Sequence, residues 1–247
     1  MRLYFIALQF LTIIPLPFTV PCEERDLGRS MALFPIVGLT LGFLLLGVNY
    51  LMAPLLPRPV TDLLLLAILA GITGALHLDG LADVVDGLAA RGGRERFLEV
   101  MKDSRCGPVG AAALAFFLLI KYQALLAVPD MQKNAALLLF PLLGRYAQVQ
   151  CTAGATRARS DGLGSTFIGG AGVFQFLVAM GTALSISYIL FGINGVWLFS
   201  GAYLLTWWLR RWAHRRLAGI TGDIIGFACE MTEAVTLLLI VALYHHT

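Results

Sequence analysis

Charge is scarce in this 247-residue chain: Asp, Glu, Lys and Arg together make up 13% of it, about half the share carried by a soluble domain. With 58% apolar residues and a mean hydropathy of +0.80, that scarcity excludes an ordinary water-soluble fold and places the chain among membrane proteins. Cysteine is also scarce. Cys22, Cys106, Cys151 and Cys229 show no paired spacing, which excludes a zinc ribbon and a disulfide frame. There is no Gly-x4-Gly-Lys-Ser/Thr phosphate loop and no Rossmann glycine fingerprint, so nucleotide-driven transport and hydride chemistry lack support. No internal repeat and no low-complexity segment stand out. The net charge of +3 is too small to argue for nucleic acid. Finally, no small-x-small cleavage site follows the apolar run after Arg2. Ile13-Ile14-Pro15-Leu16-Pro17 breaks that run instead, so the first twenty residues read as a retained interfacial or re-entrant segment.

What is abundant is apolar side chains and glycine. The 26 glycines fit close helix packing in lipid. Seven stretches have the length and apolarity of spans: residues 31–56, 60–78, 109–128, 134–152, 171–190, 193–209 and 223–245. The expected fold is all-α: a polytopic integral membrane helical bundle of about seven spans plus the N-terminal segment, with 1–247 as a single domain. Phe191-Gly192-Ile193-Asn194 predicts a tight turn between an antiparallel fifth and sixth span. With the N-terminus inside, segments 1–30, 79–108, 153–170 and 210–222 face the cytoplasm and hold 14 of the 18 Lys and Arg residues. Only Arg58 and Lys133 fall on the other side, a bias that sets this orientation by the positive-inside rule. The four cysteines then lie in or toward the reducing half. Arg210-Arg211 and Arg215-Arg216 are expected to anchor the topology beside lipid headgroups.

The few acids are clustered. Within Gly74-Ala75-Leu76-His77-Leu78-Asp79-Gly80-Leu81-Ala82-Asp83-Val84-Val85-Asp86-Gly87, residues Asp79, Asp83 and Asp86 follow i, i+4, i+7 spacing and lie within about 60° of one another on a helix. Three carboxylates on one face repel each other. A divalent cation removes that repulsion, and hard carboxylate oxygens suit Mg²⁺. His77 sits about 160° from Asp79, which argues against a shared metal site and leaves a base on an unwound turn or a packed polar residue. In Met101 to Gly110, Gly107-Pro108 breaks any helix and opens the next span. Lys102, Asp103 and Arg105 are left on a tight loop, where a planar guanidinium and a point-charge ammonium can meet phosphate.

A second acidic set opens the last span with Asp223, then Glu230 and Glu233. The two glutamates enter the hydrophobic stretch, where an ionised group needs a cation, a proton or a basic partner; Arg145 is a candidate. Arg157, Arg159 and Asp161, with Gly162 and Gly164 beside them, contact phosphate groups or enforce topology. Clustered carboxylates beside Arg and Lys suit cleavage and transfer at a pyrophosphate. The residues alone thus point to a membrane-embedded, Mg²⁺-dependent phosphotransferase. A secondary transporter is the alternative from another class, and it predicts paired broken spans around a midplane site.

Together these motifs resemble the cobalamin synthase family, the adenosylcobinamide-GDP ribazoletransferases. Gly74 to Gly87 is similar to that family's HLDGLAD motif and the Asp-Gly that follows it. Met101 to Gly110 resembles its MKDSR and GPVG pair, and Gly219 to Glu233 its C-terminal motif. Gln9 to Thr12, Ile14-Pro15, Phe34-Pro35 and Val37-Gly38 match its N-terminal pattern. Cys106 and Pro108 depart from it where an aliphatic residue and Thr are expected, without removing a charged group. The resemblance implies joining of adenosylcobinamide-GDP to α-ribazole or its 5′-phosphate with release of GMP, in the bacterial inner membrane, with the N-terminus and active face cytoplasmic. It further implies Mg²⁺ on Asp79, Asp83 and Asp86, and a catalytic group drawn from Asp83, Asp103, Asp223 and Glu230. Substrate binding would fall to Lys102, Arg105, Arg145, His77 and Thr221. No nucleic-acid partner is expected, and a homo-oligomer is left open. A CDP-alcohol-type membrane phosphotransferase is the alternative within the same chemistry.

Overall fold

The structure, a computed structural model, describes residues 1–103, 105–159, 167–168 and 170–244, without the side chain of Glu24. All regular structure among them is helical. In chain order it comprises α1 (Arg2–Leu11), α2 (Glu24–Ser30), a 3₁₀ turn (Met31–Leu33), α3 (Phe34–Met52), α4 (Arg58–Ile72) and α5 (Leu76–Ala89). There follow α6 (Arg94–Val100), α7 (Pro108–Ala127), α8 (Asp130–Thr152), α9 (Val173–Phe191), α10 (Ile193–Leu217) and α11 (Gly222–Tyr244). Prolines sit in the first turns of α3, α4 and α7, where the missing N–H costs nothing and the fixed φ favours helix entry.

Helix α8 is the axis of the bundle. Every residue from Ala136 to Ala153 is buried, and α3, α9, α10 and α11 pack around it. This explains why the axis is polar: Arg145, Gln148 and Gln150 face protein rather than lipid. The outward side chains of α7 and α9, among them Phe116, Ile120, Leu177 and Ile189, are apolar, as contact with lipid requires.

All seven expected spans are helices, yet four are long and apolar enough to cross a membrane, or five if a bent pair is one span. The count of about seven is therefore not reached on length and composition. The polar axis α8 and the Arg-rich end of α10 lower the hydropathy of those two. Helix α4, at 15 residues, is shorter than a typical crossing needs and passes only together with α5, which leaves it at 88°. This is the one bent pair found among the described residues, whereas a transporter built on inverted repeats needs two. Helix α1 has ten residues, too few to span, and its Arg2 is paired with Asp26. Helices α9 and α10 form the expected hairpin through Gly192.

Two sets of charges lie inside the bundle. Lys121 Nζ reaches Glu230 Oε2 (2.7 Å) and Glu233 Oε2 (2.5 Å), and Arg145 pairs with the other oxygen of Glu233. At the opposite end Lys133 holds Asp62 at 2.7 Å, while Arg58 pairs with Asp130. The buried groups balance, two cations with two acids in the first set and Lys133 with Asp62 in the second, while Asp130 is exposed and Arg58 partly so. Such balance is the condition under which ionised groups are tolerated in an apolar interior.

Candidate active site

The turn between α4 and α5 is made by Gly74 (φ +60°) and Ala75 (φ +54°). Left-handed backbone is uncommon for a residue carrying Cβ. Here it is held by the Ala75 amide donating to the Ala70 carbonyl at 2.8 Å, and braced by the Ile13 amide donating to the Ile72 carbonyl at 2.8 Å. The bend directs the Asp79-bearing face of α5 onto the start of α11.

There the two helices cross backbone against backbone. A Cβ at Gly80 would stand 2.7 Å from the Asp223 carbonyl oxygen, and one at Gly226 would stand 3.2 Å from the His77 Cα. Each of two motifs far apart in sequence thus contributes a glycine that admits the other. The crossing gathers their acids: the Asp83 carboxylate lies in the fields of Asp79, Asp223 and Asp86, with Arg159 as the offsetting cation. Arg159 Nη2 stands 3.1 Å from Asp223 Oδ2. Asp223 occupies the first turn of α11, where the helix dipole favours a negative charge. Thr221 is buried just before it, and its hydroxyl accepts from the Ile224 amide at 3.3 Å, so it caps the helix.

Asp86 is used differently. Its Oδ2 accepts from the Gly107 amide and its Oδ1 from the Gly110 amide, both at 2.7 Å. It caps α7 from another helix, and a Cβ on either glycine would collide with the carboxylate. The first and second motifs are joined by this contact, and Asp86 is drawn toward α7.

A cavity of about 530 Å³ opens at the crossing. Asp79, Asp223, Arg159, His77 and Gln148 are among its polar lining, and Phe10, Phe34 and Phe167 form an aromatic patch of its wall. The Phe10 and Phe167 ring centroids are 4.1 Å apart. His77 is buried, and Gln148 Nε2 lies 3.1 and 3.3 Å from its two ring nitrogens, so it is packed against a polar partner while it also lines the cavity. Among the described residues no three His, Cys, Asp or Glu side chains already form a metal cage. The donor chemistry nevertheless suits a hard divalent cation: Asp83 lies in the fields of Asp79 and Asp223, both on the cavity wall, and extra positive charge would relieve that repulsion.

Residues 3–241 match the family model described as cobalamin-5-phosphate synthase. The chain belongs to that family. An adenosylcobinamide-GDP ribazoletransferase of Geotalea daltonii is 58% identical over 243 residues, 98% of each chain. Proteins with the same name from Clostridium tetani and Pseudomonas fluorescens are 32% and 37% identical, over 98% and 95% of this chain and 97% of each relative. No solved structure matches.

Within this member of the cobalamin-5-phosphate synthase family, the remaining predicted residues divide into two groups. Lys102, Asp103 and Arg105 lie exposed on the loop before α7, next to Asp86. Arg105 forks onto Asp103, Nε to Oδ1 at 2.9 Å and Nη2 to Oδ2 at 2.7 Å, and this pairing holds the Asp103 carboxyl down at about 2. Glu230 and Arg145 lie instead in the bundle interior, paired with Lys121 and Glu233, and neither lines the cavity. Arg145 meets Glu233 rather than Glu230, and Gly144 leaves the room: a Cβ there would stand 2.6 Å from Glu233 Cγ. Asp161, Gly162 and Gly164 fall outside the described residues. Sequence reasoning missed Gln148 and Lys121, although a Gln and a Lys inside apolar stretches were visible signals, and it missed the aromatic wall, which has no spacing signature.

Proposed function

We propose that this chain is an adenosylcobinamide-GDP ribazoletransferase, catalysing the final assembly step of cobalamin. Kinship over residues 3–241 carries the reading, together with the convergence of its acidic motifs on one cavity. The 3′-hydroxyl oxygen of α-ribazole, or of its 5′-phosphate, forms a bond to the phosphorus that carries cobinamide. The bond from that phosphorus to the GMP oxygen breaks, and GMP leaves with the electron pair. We assign Asp79 and Asp83 to holding Mg²⁺, which when bound would neutralise charge developing on the pyrophosphate.

The chain's own groups do the rest. Arg159 and the exposed Lys102 and Arg105 attract and orient phosphate oxygens. Asp223, on the cavity wall, takes the hydroxyl proton. Asp103 is a poor acceptor with its carboxyl at about 2, and Glu230 is occupied by Lys121. The aromatic wall receives the flat base of the ribazole. Asp86 acts by capping α7 and so fixing the Lys102–Arg105 loop against α5.

We further place the chain in the bacterial inner membrane, with the cavity on the cytoplasmic side. The support is the 14 basic residues on that side, and the fact that both Arg58 and Lys133 on the other side are held in ion pairs. Purified protein in liposomes, given adenosylcobinamide-GDP, α-ribazole and Mg²⁺, should release GMP and yield a product of the mass of adenosylcobalamin. Faster turnover of a diacylglyceryl nucleotide would reassign it to the CDP-alcohol class. Cysteines placed at Arg58 or at the exposed Asp130 should react with impermeant reagent in intact cells, whereas Lys133 is buried, and cysteines in 79–108 should not react; labelling of the latter would overturn the orientation.

A further inference from the structure

A second cavity, of about 560 Å³, lies between the end of α8, the start of α9 and the last turns of α10. Among the described residues it shares no lining residue with the first. Arg210, Arg211 and His214 line it, and among the described residues no acid does. Arg210 Nη1 is anchored on the Gln150 carbonyl at 2.8 Å, and among the described residues its guanidinium makes no other hydrogen bond. The Arg211 guanidinium sits 5.7 Å from the centre of the Trp207 ring. The His214 Nδ1 lies 3.2 Å from the Thr156 hydroxyl.

Deeper in the wall is Gln150, 4% exposed. Its Nε2 donates to the Tyr203 carbonyl at 3.0 Å, which fixes the orientation of the amide, because the flipped form would set two carbonyl oxygens against each other. Its Oε1 is buried without a hydrogen-bond partner among the described residues. A buried acceptor left unmatched is costly and calls for a donor. At the mouth, Val173 (71% exposed) and Trp207 (48% exposed) present apolar surface continuous with the outward face of α9. Trp and Arg side by side mark the headgroup level of a bilayer.

We propose that this cavity binds the headgroup of an anionic phospholipid that carries a free hydroxyl, of the phosphatidylglycerol type. The phosphodiester meets Arg210, Arg211 and His214. A glycerol hydroxyl donates to Gln150 Oε1 once the headgroup parts the side chains that cover that atom, and an acyl chain runs out over Val173 and Trp207. A zwitterionic headgroup would bring a quaternary or primary ammonium among three basic side chains, which disfavours it. Basic pockets between membrane helices recognise anionic headgroups in this way. The site rests on the bilayer placement proposed above, but not on the transfer reaction.

Delipidated full-length protein is titrated with phosphatidylglycerol, phosphatidylmethanol or phosphatidylcholine, and the adducts are counted by native mass spectrometry. Phosphatidylglycerol should be retained over phosphatidylcholine by at least about fivefold, and Arg211→Gln should remove at least about that factor for phosphatidylglycerol alone. Gln150→Met should bring phosphatidylglycerol and phosphatidylmethanol, which lacks the hydroxyl, to within about twofold of each other. Melting temperature and recovery in the membrane fraction are followed for each variant, so that misfolding or failed insertion is distinguished from loss of the site. Equal retention of phosphatidylglycerol and phosphatidylcholine by a folded, membrane-recovered wild type would overturn the proposal. So would binding of free glycerol 3-phosphate as tight as the lipid, or displacement of the lipid by adenosylcobinamide-GDP.

Discussion

The backbone contact at Gly80 gives the sharpest test of how the site is assembled. In Gly80→Ala the new methyl would lie 2.7 Å from the Asp223 carbonyl oxygen and 3.0 Å from its Cα. Both are main-chain atoms, so no side chain can swing aside. Ordinary contact begins near 3.4 Å, so α5 and the start of α11 must part by about 0.7 Å. Overpacking of this kind costs roughly 1–3 kcal/mol. The same displacement moves Asp223 away from Asp79 and Asp83, and a misplacement of about 1 Å at a reacting centre costs on the order of 100-fold. We expect a 10- to 100-fold loss of kcat, on the order of those two effects, with the protein still inserted. The assay is initial GMP release in liposomes beside a thermal melt. Gly181→Ala on α9 is the control: nothing stands within 4 Å of its Cβ, so a melt equal to or above wild type is expected there. Equal turnover by Gly80→Ala and Gly181→Ala, with unchanged melts, would refute the claim that this crossing sets the geometry.

Asp83→Asn should cost about two to three orders of magnitude in turnover, with partial rescue by high Mg²⁺ or by Mn²⁺; an unchanged Mg²⁺ dependence would remove Asp83 from metal binding. Lys121→Met should lower stability by roughly 3–5 kcal/mol because Glu230 loses its partner, and adding Glu230→Gln should restore most of it. A double variant that melts no higher than the single would disprove that pairing. Because Arg105 depresses the Asp103 carboxyl from 3.8 to about 2, their pairing is fully present above the higher value and is lost as pH falls through the lower. Asp103 therefore stays ionised near neutrality, and Asp103→Asn should leave every inflection of the rate profile between pH 5 and 8 in place.

The acids were legible in the sequence because carboxylates beside apolar runs are costly and few, so Asp79, Asp83 and Asp223 stood out by type alone. Spacing could not show that Asp86 turns to cap α7. Its partners are the amides of Gly107 and Gly110, and a main-chain donor has no side-chain letter. The 88° bend was hidden for a related reason: Gly74 was a visible breaker, but Ala75 in left-handed backbone follows from tertiary hydrogen bonds rather than from propensity. Hydropathy does not count α8 as a span, because polar residues in a long helix mean shelter within protein, a property of its neighbours. Pairing of Glu230 with Lys121 rather than Arg145 depends on which helix faces which, and hydropathy carries no information about that.

The interior ion cluster also dictates an order of construction. Lys121 and Arg145 are synthesised 112 and 88 residues before Glu233, the acid that faces them both. Until α11 emerges, α7 and α8 carry cations with no counter-charge in the interior. Each such cation costs roughly 2.5–3.5 kcal/mol at the centre of a bilayer, which disfavours early settling of these two helices into lipid. A chain arrested before Glu230 presents two orphan positive charges, a recognisable flag for membrane quality control. Arrival of the last helix is then the event that licenses the bundle to close.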